Sequence, residues 1–291
     1  MSTAFVLSGG GSLGSVQVGM LLALAEQGIT PDLVVGTSVG AINAAWIAGR
    51  PGVDGAPALA DVWSSVHRGD VFPARPLTGL LGFLGRRDHL VPASALRALL
   101  RRHLTYERLE DAPIPVRVIA TEVMTGLEVV LDHGNAVDAV TASSALPGVF
   151  RPVHVGGQDL IDGGIVNNTP ISHAVEAGAD RIYVLPTGYA CALPDGPHSA
   201  LGVTLHALTL LLQQRLIADV ARYQHTVDIR VAPPLCPLTV SPTDFSHTTE
   251  LIERSATTTR HWLESRDHAP DQTRTLRPHR HDTADLPAAA R

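Results

Sequence analysis

Lysine is absent from this sequence: all 22 of its basic residues are arginine. That removes Schiff-base chemistry and a Ser-Lys dyad, both of which need a lysine amine. Cysteine is nearly absent too. Cys191 and Cys236 lie far apart and lack metal-ligand spacing, so no metal site is expected; one disulfide is an alternative, and two reduced thiols are the favoured expectation. With a formal net charge of -6, there is no electrostatic case for a nucleic-acid partner. No apolar run approaches the ~20 residues of a membrane span. The first residues, MSTAFVLSGGG, have no basic n-region and no long apolar stretch, so they read as a strand and not as a signal peptide. Together these absences lead to the expectation of a cytoplasmic protein.

What is present is enough apolar residue for a sizeable core, 45% of 291 residues. Residues 4–8 form a short apolar run ending in glycines, which suits a buried strand. Residues 17–27 follow as a helix stopped by Gly28, 33–35 as a second strand, and 38–48 as a small-residue helix stopped by Gly49. Strand and helix alternating in this way imply a parallel sheet with crossovers. Helical stretches are expected at 58–67, 93–103, 135–144, 205–223 and 249–263. Strands are expected at 116–120, 127–131 and 182–185, with a hairpin turn at Gly156-Gly157. The segment Leu77 to Leu84, followed by Arg86-Arg87, is apolar and then basic. It suits either a lid touching lipid or a loop packed on the core. From 266 to 291 the chain has few large apolar residues and no periodicity, so a disordered tail is expected.

Gly9, Gly11 and Gly14 spell G-x-G-x-x-G between a strand and a helix. Glycines there allow a tight turn, and free N–H groups at a helix N-terminus attract negative charge. One reading is a dinucleotide site, which would make the chain an oxidoreductase. That reading needs an acid at the far end of the second strand. Asp32 enters that strand instead of leaving it. The strand leaves through Gly36-Thr37-Ser38-Val39-Gly40, so the second reading is that the loop holds an oxyanion.

G-T-S-V-G matches G-x-S-x-G between a strand and a helix. A serine on such a sharp turn is held exposed at the sheet's carboxyl edge, and glycines two residues either side give clearance. The plainer reading of Ser38 is a helix N-cap; the strand before and helix after favour a nucleophile. Its base is not singled out among fourteen histidines. His133, His154 and His173 each suit a surface or satisfied core role. Asp162, at a strand end before Gly163-Gly164, is the other candidate, against the plainer reading of an Asp-Gly turn.

In the order SGGGSLG, GTSVG, TASSALPGVFRPV (141–153) and LIDGGIVNNTPI, the chain from Phe5 to about Leu185 resembles the bacterial patatin-like phospholipases. The resemblance implies a three-layer α/β/α fold with a mainly parallel central sheet, in a domain spanning 1–265. It implies a Ser-Asp dyad, carried onto Ser38 and Asp162, and an oxyanion hole from the N–H groups of Gly10 and Gly11. Gly9, Gly14, Gly36, Gly40, Gly163 and Gly164 would support these motifs. The implied activity is hydrolysis of lipid or other acyl esters through an acyl-serine, without metal or cofactor and with transient contact at a membrane surface. One departure stands out. The family's loop usually carries Arg or Lys where this sequence has Leu13. Losing a direct oxyanion donor costs ~2.7–4 kcal/mol, and a supporting charge should cost less. Leu13 therefore leaves open a reduced activity, a different acyl substrate, or a non-catalytic member that binds lipid or protein.

Overall fold

The computed structural model describes residues 1–71, 91–188, 200–238, 240–265 and 271–279. The segment Leu77 to Leu84 with Arg86-Arg87 lies outside them. Runs rich in Val, Ile and Leu form the strands, as β-branched side chains favour. They are β1 (Thr3–Leu7), β2 (Leu33–Thr37), β3 (Val116–Glu122), β4 (Glu128–Leu131), β5 (Val153–Val155), β6 (Gln158–Asp162), β7 (Arg181–Leu185) and β8 (Asp228–Val231). β1 lies between β2 and β7; β3 and β8 extend the sheet outward, and all five run parallel. β4 and β6 pair antiparallel with β3, and β5 antiparallel with β6. The sheet is thus a parallel core with an antiparallel extension.

Strand side chains alternate between faces. Phe5 and Leu7 point to one apolar layer, Ala4 and Val6 to the other. The first layer holds α1 (Gly14–Glu26), α2 (Val39–Ala48), α3 (Gly55–Ser65) and the helices Ser94–His103, Ala136–Ser143 and Thr248–Ser265. The helices Ile171–Glu176 and Ala200–Tyr223 cover the second. Strands apolar on both faces need cover on both, and the result is the expected three-layer α/β/α arrangement.

The register around β3 brings two strand ends together. β4 pairs with Val118 through Thr121 along one side of β3. β2 and β6 therefore share its other side. β2 pairs with Val116 through Ile119, ending with Thr37 opposite Ile119. β6 pairs with Glu122 back to Ala120, ending with Asp162 opposite Ala120. One strand runs parallel to β3 and the other antiparallel, so their carboxyl ends point at each other and meet.

Two expectations need correction. Residues 271–279 are packed, not disordered: Leu276 is fully buried in the second layer, and its carbonyl accepts a hydrogen bond from Gln213. A short 3-10 turn carrying one buried leucine is enough to anchor a segment that shows no periodicity. Cys236 is disulfide-bonded rather than a free thiol; separation along the chain carries no information on separation in space. Cys191, the other cysteine, lies outside the described residues. β8 and the short helices Gly164–Asn167 and Ile171–Glu176 have no counterpart among the elements expected from the sequence.

Candidate active site

β2 ends at Thr37 and α2 begins at Val39. Ser38 makes the turn between them with φ 56° and ψ -126°, alone among the described non-glycine residues in having a positive φ. Such backbone costs of order 1–3 kcal/mol and persists only where its surroundings impose it. They do so closely. A Cβ on Gly40 would sit 2.2 Å from the Leu7 carbonyl oxygen, and one on Gly36 would sit 2.4 Å from that of Gly40. The Ser38 N–H donates to Ser143 Oγ at 2.9 Å, and Ser144 Oγ donates to the Ser38 carbonyl at 3.2 Å. The Ser38 side chain makes no capping hydrogen bond to α2. Its hydroxyl donates instead to Asp162 Oδ2 at 2.6 Å.

Asp162 is buried, 5% exposed. Its Oδ1 accepts from the Gly164 N–H at 2.8 Å. Burial pushes its carboxyl group up to about 6, against the opposing pull of the hydrogen bonds from Ser38 and Gly164. Gly163 lets the turn lie flat on β3, where a Cβ would meet the Ile119 carbonyl oxygen at 2.2 Å. The three histidines for which the sequence suggests surface or core roles are paired with carboxylates away from Ser38. His133 pairs with Asp132, His154 with Asp159, and His173 sits between Glu128 and Glu176.

The glycine loop runs past this pair. Gly9 donates its N–H to the Asn168 carbonyl, and its own carbonyl accepts from Thr187 Oγ1 at 2.8 Å. A Cβ on Gly9 would stand 3.0 Å from Ser38 Cβ. The N–H groups of Ser8, Ser12 and Leu13 are paired, whereas those of Gly10 and Gly11 meet no acceptor among the described residues. Gly14 opens α1 against Val39 and Trp63. Leu13 is buried, packs in the first apolar layer and lines a cavity. Asp32, the acid a dinucleotide site would need, accepts from the Thr3 N–H at 2.8 Å. That is the amino-terminal edge of the sheet, opposite to the glycine loop.

The cavity has a volume of about 600 Å³. Its lining brings Ser38, Asp162 and the loop glycines together with apolar side chains that include Leu59, Trp63, Leu96 and Phe150. Leu146 and Ile165 also line it and are about half exposed, 44% and 54%. A lining of this composition and volume suits a hydrocarbon chain that carries a polar group. Among the described residues, no group of three or more His, Cys, Asp or Glu is placed to hold a metal ion.

Ser143, Ser144, Asn168 and Thr187 fix this geometry, and no chemistry-bearing pattern in the sequence marks them. Ser143 and Ser144 do fall inside the TASSALPGVF segment and Asn168 inside LIDGGIVNNTPI, the signals from which they could have been found; Thr187 lies beyond both.

Residues 5–175 match the family model described as patatin-like phospholipase. An uncharacterized NTE family protein of Mycobacterium tuberculosis (strain CDC 1551 / Oshkosh) is 31% identical over 175 residues, covering 58% of this chain and 27% of that protein. Mouse patatin-like phospholipase domain-containing protein 6 is 29% identical over 187 residues, covering 64% of this chain and 13% of the other. This match thus spans only about a quarter of the mycobacterial relative's length, and less of the mouse one. The structure of human GIVD cytosolic phospholipase A2 superposes with a TM-score of 0.51 at 11% identity, over 94% of this chain and 60% of that one, which is a likeness of fold. No helix among the described residues is long and apolar enough to cross a membrane.

Proposed function

We propose that this chain, which belongs to the patatin-like phospholipase family, hydrolyses carboxyl esters of lipids through a Ser38–Asp162 dyad. The observation that carries the reading is the 2.6 Å hydrogen bond from Ser38 Oγ to a buried carboxylate, beside two backbone N–H groups without acceptors among the described residues.

Asp162 takes the Ser38 proton as Oγ attacks the ester carbonyl carbon. The negative charge that develops on the carbonyl oxygen is held by the Gly10 and Gly11 N–H groups, fixed beforehand by the loop; a donor of this kind contributes ~10²–10³ in kcat. The C–O bond breaks, and the leaving alcohol takes the proton from Asp162. Water then gives its proton to Asp162 and attacks the acyl-serine. A second oxyanion collapses, the acid leaves, and the proton returns to Ser38. A carboxyl group pushed up to about 6 suits this task, because it is ionised at neutral pH yet a stronger base than an exposed aspartate. The apolar cavity takes the acyl chain, and the exposed Leu146 and Ile165 at its lining suit transient contact with a membrane surface.

The test is hydrolysis of a p-nitrophenyl ester series by the protein and its Ser38→Ala and Asp162→Asn variants. Both variants should stay folded and lose activity by about 10³-fold or more. A variant that keeps near-normal turnover sinks the dyad. One observation favours a second reading, a non-catalytic lipid binder: Leu13 places hydrocarbon where the family usually has a cation. Failure of folded protein to react with a fluorophosphonate probe at Ser38 would select it.

A further inference from the structure

Three side chains outside the reacting pair join the cavity wall to the glycine loop. Gln17 on α1 is fully buried, and its Nε2 donates to the carbonyls of Ser8 at 2.8 Å and Leu185 at 3.0 Å. Asn43 on α2 is also fully buried. Its Nδ2 donates to the Gly14 carbonyl at 3.0 Å and to Gln17 Oε1 at 2.9 Å. Trp63 on α3 donates its indole Nε1–H to Asn43 Oδ1 at 2.9 Å.

The direction of this chain is forced from both ends. Carbonyls only accept, so Gln17 must turn its NH₂ toward Ser8 and Leu185 and its oxygen toward Asn43. An indole N–H only donates, so Asn43 must turn its oxygen toward Trp63 and its NH₂ toward Gly14 and Gln17. Neither amide can flip without stranding a buried donor or acceptor. The carbonyls they hold, of Ser8 and Gly14, bracket the loop that contains Gly10 and Gly11. Asn43 itself rides on the helix that begins just after Ser38. Trp63 meanwhile stacks on Phe245, rings 6.3 Å apart and 12° from parallel, and both line the cavity.

We propose that Trp63, acting through Asn43 and Gln17, is a positioning residue that fixes the Gly10 and Gly11 amides relative to Ser38, whatever the length of the acyl chain beside it. This rests on the reading of Ser38 as nucleophile and of those amides as its oxyanion donors. The two roles of Trp63 separate in kinetics. A wall residue affects only chains long enough to touch it, and shows in KM. A positioning residue affects every ester alike, and shows in kcat.

The experiment measures kcat and KM for p-nitrophenyl acetate and p-nitrophenyl decanoate with wild type, Trp63→Phe and Gln17→Glu, each checked for folding by thermal melting. Phe keeps the aromatic wall and removes the N–H; Glu keeps the shape of Gln17 and leaves at most one donor for the two carbonyls. Trp63→Phe should lose about fivefold or more in kcat on acetate, by the same factor on decanoate, with KM for acetate unchanged. Gln17→Glu should reproduce the loss on acetate. If Trp63→Phe matches wild type on acetate and raises only KM for decanoate, or if folded Gln17→Glu keeps full turnover, the inference is overturned. Wild type inert toward both esters would instead sink the hydrolase reading on which it stands.

Discussion

The Thr37 hydroxyl donates to the Asn167 carbonyl at 2.9 Å. This bond ties the residue before Ser38 to the helical turn beyond Asp162. It supplements the β3 register, in which Ile119 faces Thr37 and Ala120 faces Asp162. Asn167 is held in turn, since its Nδ2 donates to Glu128 Oε1 at 2.9 Å. The approach of Ser38 to Asp162 is thus supported by backbone pairing and by side chains, of Thr37, Asn167 and Glu128, that are not among the lining of the cavity.

Thr37→Val keeps the shape and removes the donor. The carbonyl of a buried residue loses its side-chain partner, which costs about 1–3 kcal/mol. The expected result is a lower denaturation midpoint together with a drop in kcat of about tenfold, KM little changed. A variant that is destabilised yet keeps wild-type kcat would mean that Ser38 and Asp162 hold their approach without this bond.

On the proposed dyad, the pH dependence of hydrolysis follows Asp162. The base must be ionised to accept the Ser38 proton, and burial places its carboxyl group at about 6. The rate should therefore rise through pH 6 and level off above it, measured as kcat/KM on a water-soluble ester, the quantity that reports the free enzyme's base. Replacing His133, His154 or His173 should leave that midpoint in place. A midpoint that moves with one of these histidines would assign the base to it.

Stability should run the opposite way. A carboxyl group raised on folding binds its proton more tightly in the native state than in the unfolded chain. Its favourable contribution is complete below the unfolded value of 3.8 and is lost as pH rises through about 6. Asp162→Asn removes the buried charge and keeps the shape. The variant should gain on wild type between pH 4 and pH 7, by about 3 kcal/mol at the upper end. Urea midpoints at the two pH values measure the difference. A gap that does not widen with pH would show that Asp162 is not a strained ionised group.

Much of this site was legible because its motifs are backbone motifs. G-T-S-V-G and D-G-G announce close approaches of main chain that only glycine permits, and the approaches are there at Gly36, Gly40 and Gly163. The three-layer sheet was legible from short apolar runs alternating with helices. What was not legible depends on contacts between distant segments. Nothing local to Gln17 or Asn43 says that their amides will meet, and nothing local to Ser143 says that its hydroxyl will receive the Ser38 N–H. The anchoring of Leu276 was not legible for the same reason: it is held by a partner that the flanking sequence does not name. The strand β8 is only Asp228–Val231; its charged and apolar residues alternate as in a half-buried strand, but four residues are too short a run to stand out before it pairs with β7.

Leu13 decides whether the departure from the family's usual loop is tolerated or used. Its side chain is 9% exposed and packs with the first apolar layer while lining the cavity. An arginine there cannot shed its charge, and burying an unpaired guanidinium in apolar surroundings is costly. Leu13→Arg should lower stability by about 3 kcal/mol. It should also cut turnover of long-chain esters more than that of the acetate, because the charge would face the hydrocarbon part of the substrate. Urea denaturation and the ester series read these two effects separately. Should the variant keep its stability and raise kcat on every ester, the position has room to aim a cation at the loop. The leucine would then be a loss of catalytic power, and not a feature of an acyl pocket.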